Sequence, residues 1–295
     1  MSEKSAKDKV FSAKDFLRCG DKGLDLSTPA IMGILNVSPD SFYDGGNYSN
    51  DNIVLKRVET MIEEGAAIID IGGASSRPGS IEIDQEVEIK RVIPVIEKVV
   101  NEFPGQIISV DTYRSAVAHK AVEAGASIVN DISGGDMDPD MFSTIAKLET
   151  AYLLMHMQGT PATMQDNPKY EDVVKEVTGV FEKKVAQLKM LGIKNILIDP
   201  GFGFGKTLNH NFILLSRLDA FEKLNLPLVV GVSRKSMINT VIKTTPDQAL
   251  NGTSVLNTLA ILNGASVLRV HDVKEAHETI QLVDYYKVIQ GKQAR

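Results

Sequence analysis

Eight apolar segments of strand length recur along the chain, and each ends in or near a polar residue. Segments long enough to form a helix separate them. Parallel strands need such crossovers, and strands covered on both faces are apolar throughout rather than alternating. Eight repeats within about 250 residues predict an α/β fold, a (β/α)8 TIM barrel. The segments are 31–37, 67–73, 107–112, 128–133, 151–156, 196–201, 228–233 and 267–272.

TIM barrels place their active sites at the carboxyl ends of their strands, so the polar residues at these ends form a candidate site. They are Asn36, Asp70, Asp111, Asn130, His156, Asp199, Ser233, Arg269 and His271. A buried carboxylate is costly unless it is hydrogen-bonded. Asp111, Asn130 and Asp199 together offer acceptor oxygens that suit a heterocycle with several N–H groups. Asp70 has a second interpretation, in which it only braces the following loop, and His156 is expected to be structural.

Five basic residues also fall at strand ends or in the loops that follow them, which predicts an anion site in a chain of net charge −6. Arginine grips a phosphate with two parallel hydrogen bonds, and lysine supplies a movable point charge. The five are Arg77, Arg234, Lys235, Arg269 and His271.

The segment after the sixth strand contains Gly201, Gly203 and Gly205. It is not a Walker loop, because Pro200 stands where that motif needs glycine. Two interpretations stay open: the glycines make a tight turn, or they let the backbone approach a flat ligand.

Composition limits the function classes. The acidic balance argues against general binding of nucleic acid or of a membrane surface. The single cysteine, Cys19, excludes an intrachain disulfide and fits a reducing compartment. No apolar stretch reaches the ~18 residues of a membrane span, and the polar N-terminus predicts no signal peptide. We therefore expect a cytoplasmic protein.

Residues 1–30 are expected to form a tail and a hairpin that caps the bottom of the barrel, and residues 31–295 one barrel domain. Predicted helices cover 51–65, 84–103, 114–124, 140–148, 170–191, 209–224, 247–263 and 273–289.

A series of motifs occurs in one order along the barrel: NVSPDSF, GGASSRPG, SVDT, NDI, LMHMQGTP, DPGFGFGK, GVSRKS and RVHDV. Over nearly all of 31–290 the chain resembles the dihydropteroate synthase family. The resemblance implies condensation of 6-hydroxymethyl-7,8-dihydropterin diphosphate with p-aminobenzoate, giving 7,8-dihydropteroate and diphosphate in folate biosynthesis. It also implies a dissociative mechanism, assistance by Mg²⁺ and inhibition by sulfonamides.

The resemblance assigns site residues. It implies catalytic roles for Asp40, Arg77, Asp111 and Lys235. It implies pterin binding by Asp111, Asn130, Met155, Asp199, Phe204 and Lys235. It implies diphosphate binding by Asn36, Arg269 and His271, with Asn36 as the protein ligand of Mg²⁺. It implies a p-aminobenzoate pocket of Phe42, Ser76, Arg77, Pro78, Phe204, Lys235 and Ser236.

The chain departs from the family pattern in its second loop, where Ala74 and Ser76 replace the usual glutamate and threonine. Two alternatives stay open. A methyltransferase acting between methyltetrahydrofolate and a corrinoid protein would keep the pterin-binding acids but not GVSRKS and RVHDV. A non-catalytic pterin-binding paralogue would be favoured by loss of the first loop or of Lys235, and both are present.

Family members commonly form homodimers through late helices, which implies a homodimer here. The helix predicted at 247–263 carries an apolar stripe of Leu250, Val255, Leu259 and Leu262. Such a stripe is more typical of an intramolecular core than of an interface, so the homodimer rests mainly on the resemblance.

Overall fold

A computed structural model of the chain describes residues 14–37, 48–74 and 83–293. The strands in these ranges are β1 (Phe16–Cys19), β2 (Lys22–Asp25), β3 (Ala30–Asn36), β4 (Ile68–Gly72), β5 (Ile107–Asp111), β6 (Ile128–Asp131), β7 (Ala151–Met155), β8 (Ile196–Asp199), β9 (Val229–Val230) and β10 (Val267–Val270). The helices are α1 (Tyr48–Glu63), α2 (Gln85–Glu102), α3 (Ser115–Glu123), α4 (Met141–Leu148), α5 (Val173–Met190), α6 (Leu208–Ser216), α7 (Ser236–Ile242), α8 (Leu250–Leu262) and α9 (Val273–Gln293). Two 3₁₀ helices cover Leu218–Leu224 and Pro246–Gln248.

Strands β3 to β10 form one parallel sheet in which β3 lies between β4 and β10. A parallel bridge between Ile198 and Leu228 joins β8 to β9 and closes the sheet on itself. Helices alternate with the strands and cover the outer face of the sheet. The predicted TIM barrel is confirmed.

The hairpin of β1 and β2 caps the amino-terminal end of the barrel, as predicted. Leu17 and Cys19 are buried against the lowest layer of inward-facing side chains. That layer is apolar and includes Met32, Ile68, Ile107, Ile128, Leu153, Leu197, Val229 and Val267. The division of the chain at residue 30 stays a prediction; the tail expected at 1–9 lies outside the described residues.

Above this apolar layer, which we call the plug, the pleat of the strands directs polar and charged side chains into the barrel. Side chains two positions further along a strand point to the same face. Counting two residues on from the plug gives Asp70 on β4, Ser109 on β5, Asn130 on β6, Asp199 on β8 and Arg269 on β10. The barrel interior therefore changes from apolar to charged toward the carboxyl ends of the strands.

Apart from small shifts at helix ends, the helices depart from prediction in three places. The helix predicted at 209–224 ends at Ser216 and continues as a 3₁₀ helix after Arg217, whose φ of −130° leaves the helical region. The helix predicted at 247–263 starts as the short 3₁₀ helix at Pro246 and becomes α8 at Leu250. Helix α7 was not predicted, because its seven residues are too few to establish a helical period.

The apolar stripe of α8 faces outward, so its expected place in the core is wrong. Val255, Leu259 and Leu262 are exposed, whereas Leu256, Ala260 and Ile261 form the buried face. Each helical residue turns about 100°, so neighbouring positions point in different directions. Helix α9 also has exposed apolar side chains, among them Leu282 and Tyr285.

Within the described ranges, no helix combines the length and the apolar character that crossing a bilayer would require.

Candidate active site

A hydrogen-bonded ion-pair network occupies the carboxyl mouth of the barrel. The guanidinium of Arg269 donates from Nε to Asp70 Oδ2 at 2.7 Å and from Nη2 to Asp111 Oδ2 at 2.6 Å. Asn130 donates from Nδ2 to the same Asp70 oxygen at 3.0 Å. Three residues that the sequence predicted for the site, Asp111, Asn130 and Arg269, are thus brought together.

Asp70 links Asn130 to Arg269, and through Arg269 to Asp111, although the sequence left its role open. Its side chain is fully buried. Strand alternation could have identified Asp70 as a site residue. It lies two positions after Ile68 of the apolar plug and two before Gly72 at the mouth, so the three residues point to the same face of β4. Asp70 therefore faces the barrel axis and does not merely brace the next loop.

Burial changes the acid–base properties of the two predicted aspartates. Loss of solvation raises the pKa of Asp111 to about 7; Arg269 opposes this rise and the charge of Asp70 adds to it. Burial likewise raises the pKa of Asp199, opposed mainly by Lys235 and by the N–H of Gly201, which donates to Asp199 Oδ1 at 2.7 Å. At neutral pH the Asp111 carboxyl can exchange a proton.

Lys235 lies at the N-cap of α7, and its charge interacts with the carboxylate of Asp199. Its ammonium donates to the carbonyl oxygen of Phe202 and lies 4.6 Å from the centre of the Phe204 ring. Burial lowers the pKa of Lys235 to about 8, and the charge of Asp199 opposes this fall. Such a lysine gains or loses its charge readily near neutral pH.

The glycines after β8 are explained by close packing of the backbone. Gly201 and Gly205 have φ of +71° and +63°, and a Cβ on them would clash with the carbonyl oxygens of His156 and Gln158. Gly203 has φ of +81° and faces the Lys235 side chain. Only glycine adopts these conformations at little cost, so the tight-turn interpretation holds. The loop is pressed against the segment that follows β7.

Two further glycines open the mouth. Gly72 ends β4 and Gly231 follows β9. A Cβ on Gly231 would lie 3.8 Å from both Asp199 Oδ2 and the Cβ of Arg269, and one on Gly72 would lie 3.7 Å from Asp111 Oδ2. These positions leave room between the charged side chains, and sequence reasoning did not single them out as site residues.

An apolar wall stands beside the charged network. Met155 packs with Ile132, Met157 and Met164, and Phe204 covers this group from the loop after β8. Met155 and Phe204 were the predicted neighbours of a ring. Methionine is polarisable and adapts to a flat aromatic surface. The wall and the acceptor oxygens together suit a flat ring with polar edges.

His156 belongs to the support of this wall, which matches its predicted structural role. Its Nδ1 lies 3.0 Å from the ammonium of Lys206, which also donates to the Phe204 carbonyl oxygen at 2.9 Å. Burial, with the charge of Lys206, lowers the pKa of His156 to about 2, so the imidazole is neutral. Its Nδ1 accepts from the ammonium, which places the ring proton on Nε2.

His271 and Asn36 were predicted to bind the diphosphate, and both lie at the mouth of the barrel. His271 Nδ1 lies 3.0 Å from Ser233 Oγ, and Arg57 donates to the His271 carbonyl oxygen at 3.0 Å. Asn36 is exposed at the end of β3, with its Oδ1 close to Gly72. Both residues therefore lie at the same end of the barrel as Arg269.

Arg234 is not available to the predicted anion site. Its guanidinium binds Asp272 through two hydrogen bonds of 2.9 and 2.7 Å. It also donates to the carbonyl oxygens of Pro246 at 2.9 Å and Asp247 at 3.1 Å. The inclusion of Arg234 among the anion ligands is wrong, because these contacts hold the loop after β9 to the end of β10.

Six other residues were predicted for the site. Ser236 is exposed at the start of α7. Five predicted residues lie outside the described ranges: Asp40, Phe42, Ser76, Arg77 and Pro78.

A magnesium ion was expected at Asn36. The described part of the chain contains no cluster of three or more histidine, cysteine or acidic side chains able to hold a metal. Magnesium is often held by one or two protein oxygens together with substrate phosphates and water. The amide oxygen of Asn36 at the mouth fits this second arrangement, not an all-protein cage.

A closed (β/α)8 barrel with an acid–amide–arginine network and an apolar wall at its carboxyl mouth defines a TIM-barrel enzyme with a site for a flat, polar-edged ring. The family model for "Pterin binding enzyme" matches residues 32–271. The chain is 46% identical over 263 residues to the dihydropteroate synthase of Escherichia coli K12, covering 88% of this chain and 93% of that protein.

Two solved structures extend the likeness to the fold. The dihydropteroate synthase of Yersinia pestis in a sulfonamide drug complex aligns with a TM-score of 0.87 and 41% identity, covering 92% of this chain and 99% of that one. The Xanthomonas albilineans dihydropteroate synthase with 4-aminobenzoic acid aligns with a TM-score of 0.84 and 38% identity, covering 94% and 98%. The chain belongs to the dihydropteroate synthase family of transferases.

Proposed function

We propose that this chain condenses 6-hydroxymethyl-7,8-dihydropterin diphosphate with p-aminobenzoate to give 7,8-dihydropteroate and diphosphate. The observation that carries the proposal is the network of Asp111, Asn130 and Arg269 at the barrel mouth, in a chain of this family. The relative from Xanthomonas albilineans was solved with 4-aminobenzoic acid, which is one of the two proposed substrates.

The pterin is proposed to lie in the barrel mouth. Its ring N–H groups would donate to the oxygens of Asp111, Asn130 and Asp199, which are acceptors of the kind that such an edge requires. Met155 and Phe204 would cover its faces. Lys235 lies beside both Asp199 and Phe204, so its ammonium supplies a donor at the ring edge.

The diphosphate is proposed to bind Arg269 and His271, with the amide oxygen of Asn36 holding a magnesium ion. A bound Mg²⁺ would neutralise charge that develops on the departing diphosphate. Arg269 brings a second full positive charge, because its ion pairs keep its pKa above the ordinary value. The protein thus holds the leaving group by fixed positive charge at the open end of the barrel.

The reaction is proposed to be dissociative. The bond between the pterin methylene carbon and the diphosphate oxygen breaks first, and its electron pair leaves with diphosphate. The carboxylate of Asp111 stabilises the delocalised cation that remains. The neutral amine nitrogen of p-aminobenzoate then bonds to the methylene carbon and releases one proton. An aniline nitrogen needs no strong base for this attack.

The p-aminobenzoate pocket is proposed to combine Phe204, Lys235 and Ser236 with Phe42, Ser76, Arg77 and Pro78, and Asp40 is proposed to act with Arg77 in catalysis. The relative from Yersinia pestis was solved in a sulfonamide drug complex, so sulfonamides are the proposed competitive inhibitors.

We also propose a cytoplasmic homodimer. The outward apolar side chains of α8 and α9, Val255, Leu259 and Leu282 among them, support an interface between two copies. The single cysteine is buried and carries a free thiol, which fits a reducing compartment. Sedimentation velocity of Leu259→Glu beside the wild-type chain tests the homodimer, which predicts a monomer for the variant.

The deciding experiment incubates the purified protein with Mg²⁺, the pterin diphosphate and p-aminobenzoate, and measures diphosphate release together with dihydropteroate formation. We expect both products in equal amounts, and loss of both in Lys235→Ala and Arg269→Ala. Diphosphate without dihydropteroate would mean that the proposed amine pocket is wrong. Pterin binding without either product would reject the synthase proposal.

A further inference from the structure

Asp70 is the residue through which the two halves of the proposed substrate site are joined. Its Oδ2 accepts the Asn130 amide at 3.0 Å and the Arg269 Nε–H at 2.7 Å. Resting on the function proposed above, we propose that Asp70 is a positioning residue that orients Asn130 toward the pterin and Arg269 toward the diphosphate. Nothing in the motifs that define the family resemblance assigned it this role.

The orientation of Asn130 follows from the chemistry of the contact. The amide donates through Nδ2 to a carboxylate oxygen, which can only accept when it is ionised. Turning the amide over would place Asn130 Oδ1 against Asp70 Oδ2, two acceptors facing each other. Asp70 therefore keeps the Asn130 carbonyl oxygen directed away from itself and available to a ring N–H.

The same carboxylate limits the rotation of the Arg269 guanidinium. Asp70 holds Nε and Asp111 holds Nη2, so two carboxylates from β4 and β5 fix the plane of the group. A guanidinium has five N–H donors in a rigid fork, and these two contacts use two of them. The remaining donors keep one direction in space, which suits recognition of an anion without further ordering.

Asp70 is costly to the fold, which argues against a purely structural role. Its Oδ1 is buried and has no hydrogen-bond partner among the described residues. A buried polar atom without a partner destabilises the folded state, and an apolar side chain like those of the plug below would avoid this cost.

Asp70 also acts on Asp111 by charge. Burial is the largest cause of the raised pKa of Asp111. Among its charged neighbours, the guanidinium of Arg269 lowers this pKa, and the carboxylates of Asp70, Glu88 and Asp131 raise it. The ammonium of Lys235 also faces Asp111. Neutralising Asp70 therefore removes one repulsive partner and leaves Arg269, so Asp111 should ionise at lower pH.

The test compares Asp70→Ala and Asp70→Asn with the matched control Ser109→Ala, which alters the same interior layer. Calorimetric titration with 6-hydroxymethyl-7,8-dihydropterin diphosphate and Mg²⁺, without p-aminobenzoate, gives the affinity, and an assay of released diphosphate checks that the ligand stays intact during the titration. Steady-state kinetics from pH 5 to pH 9 then give KM for each substrate and the acid limb of kcat/KM. Thermal unfolding of every variant accompanies both measurements.

We expect Asp70→Ala to weaken binding of the pterin diphosphate by about 10- to 100-fold, the effect of losing a hydrogen bond to a charged group. In Asp70→Ala the KM for p-aminobenzoate should stay unchanged. In Ser109→Ala both the affinity for the pterin diphosphate and the KM for p-aminobenzoate should stay unchanged. Asp70→Asn, which keeps the shape, should weaken binding by about 10-fold and move the acid limb to lower pH.

Three results would overturn the proposal: wild-type affinity in both Asp70 variants, equal losses in Ser109→Ala, or an acid limb unmoved in Asp70→Asn. If Asp70→Ala does not fold, Asp70→Asn alone decides. A wild-type chain that binds the pterin diphosphate but forms no dihydropteroate would reject the proposed function, and the comparison of affinities would still decide the role of Asp70.

Discussion

Arg269 on β10 and Asp111 at the end of β5 form an ion pair of 2.6 Å across the mouth of the barrel, with β3 and β4 lying between their strands. The two residues are separated by 158 positions in sequence. Pairing of β5, β4, β3 and β10 as neighbours in one sheet brings them together. The pair places a carboxyl with a pKa near neutrality against a permanent positive charge, where the proposed leaving group and cation would separate.

Catalytic activity should depend on pH through the ionisation of Asp111. Asp111 must be ionised to stabilise a cation, and its pKa is raised to about 7 by burial. We therefore expect kcat/KM to fall as pH decreases through about 7. Asp111→Asn should lose activity by about 10²- to 10³-fold, the usual effect of removing one electrostatic contact to the transition state, and should lack this acid limb. If kcat/KM of Asp111→Asn falls at low pH as it does in the wild type, a group other than Asp111 causes the fall.

The raised pKa of Asp111 predicts the opposite pH dependence for the stability of the folded chain. The folded state holds the Asp111 proton more tightly than an unfolded chain, whose aspartate titrates near 3.8. The folded state therefore binds more protons between about pH 4 and pH 7, so its stability should decrease as pH rises through this window. Urea unfolding of wild type and Asp111→Asn at several pH values measures the difference, which should be absent if Asp111 is already ionised at pH 5.

Arg234 should matter for stability more than for anion binding. Arg234→Ala removes two hydrogen bonds to Asp272 and two to backbone carbonyls. We expect a loss of about 1–3 kcal/mol in the free energy of unfolding. The matched control is Arg217→Ala, whose ion pair with Asp172 is 4.0 Å long and exposed, and which should change almost nothing. Equal effects would contradict the structural role of Arg234.

Comparing alanine substitutions at Gly201 and Gly192 distinguishes the cost of backbone strain from the cost of a steric clash. Both have a positive φ, +71° and +84°, but nothing lies within 4 Å of a Cβ on Gly192. Gly192→Ala should therefore cost roughly 1–2 kcal/mol for the left-handed conformation alone. Gly201→Ala must also displace the His156 carbonyl, so we expect a loss above about 3 kcal/mol. Chemical denaturation of both variants compares the two terms, and similar values would mean that the loop relaxes.

Cys19 reports on the hairpin plug. The thiol is fully buried, and burial raises its pKa to about 12, so almost no thiolate is present in the folded chain. We expect a disulfide reagent to label this single cysteine only as fast as the hairpin detaches or the chain unfolds. Leu17→Ala should accelerate labelling, because it removes packing against the same layer. Rapid labelling of the native protein would place the hairpin away from the barrel.

Much of the architecture follows from the sequence because it depends on local periodicity. Apolar segments of strand length, helical segments between them and a turn at Gly20 are properties of neighbouring residues. They predicted the barrel, the hairpin cap and most helices. They could not predict α7, which is shorter than the pattern that identifies a helix, nor which face of α8 would be exposed.

The sequence by itself determined which residues stand at the ends of the strands, Asp111, Asn130 and Arg269 among them, because the position of a residue along a strand is local information. Only the tertiary structure decided which of these side chains meet. Arg269 and Arg234 were both predicted to bind an anion, yet one reaches into the barrel mouth and the other binds Asp272. Barrel closure and strand register set those distances, and they made Asp70 the shared partner of Asn130 and Arg269.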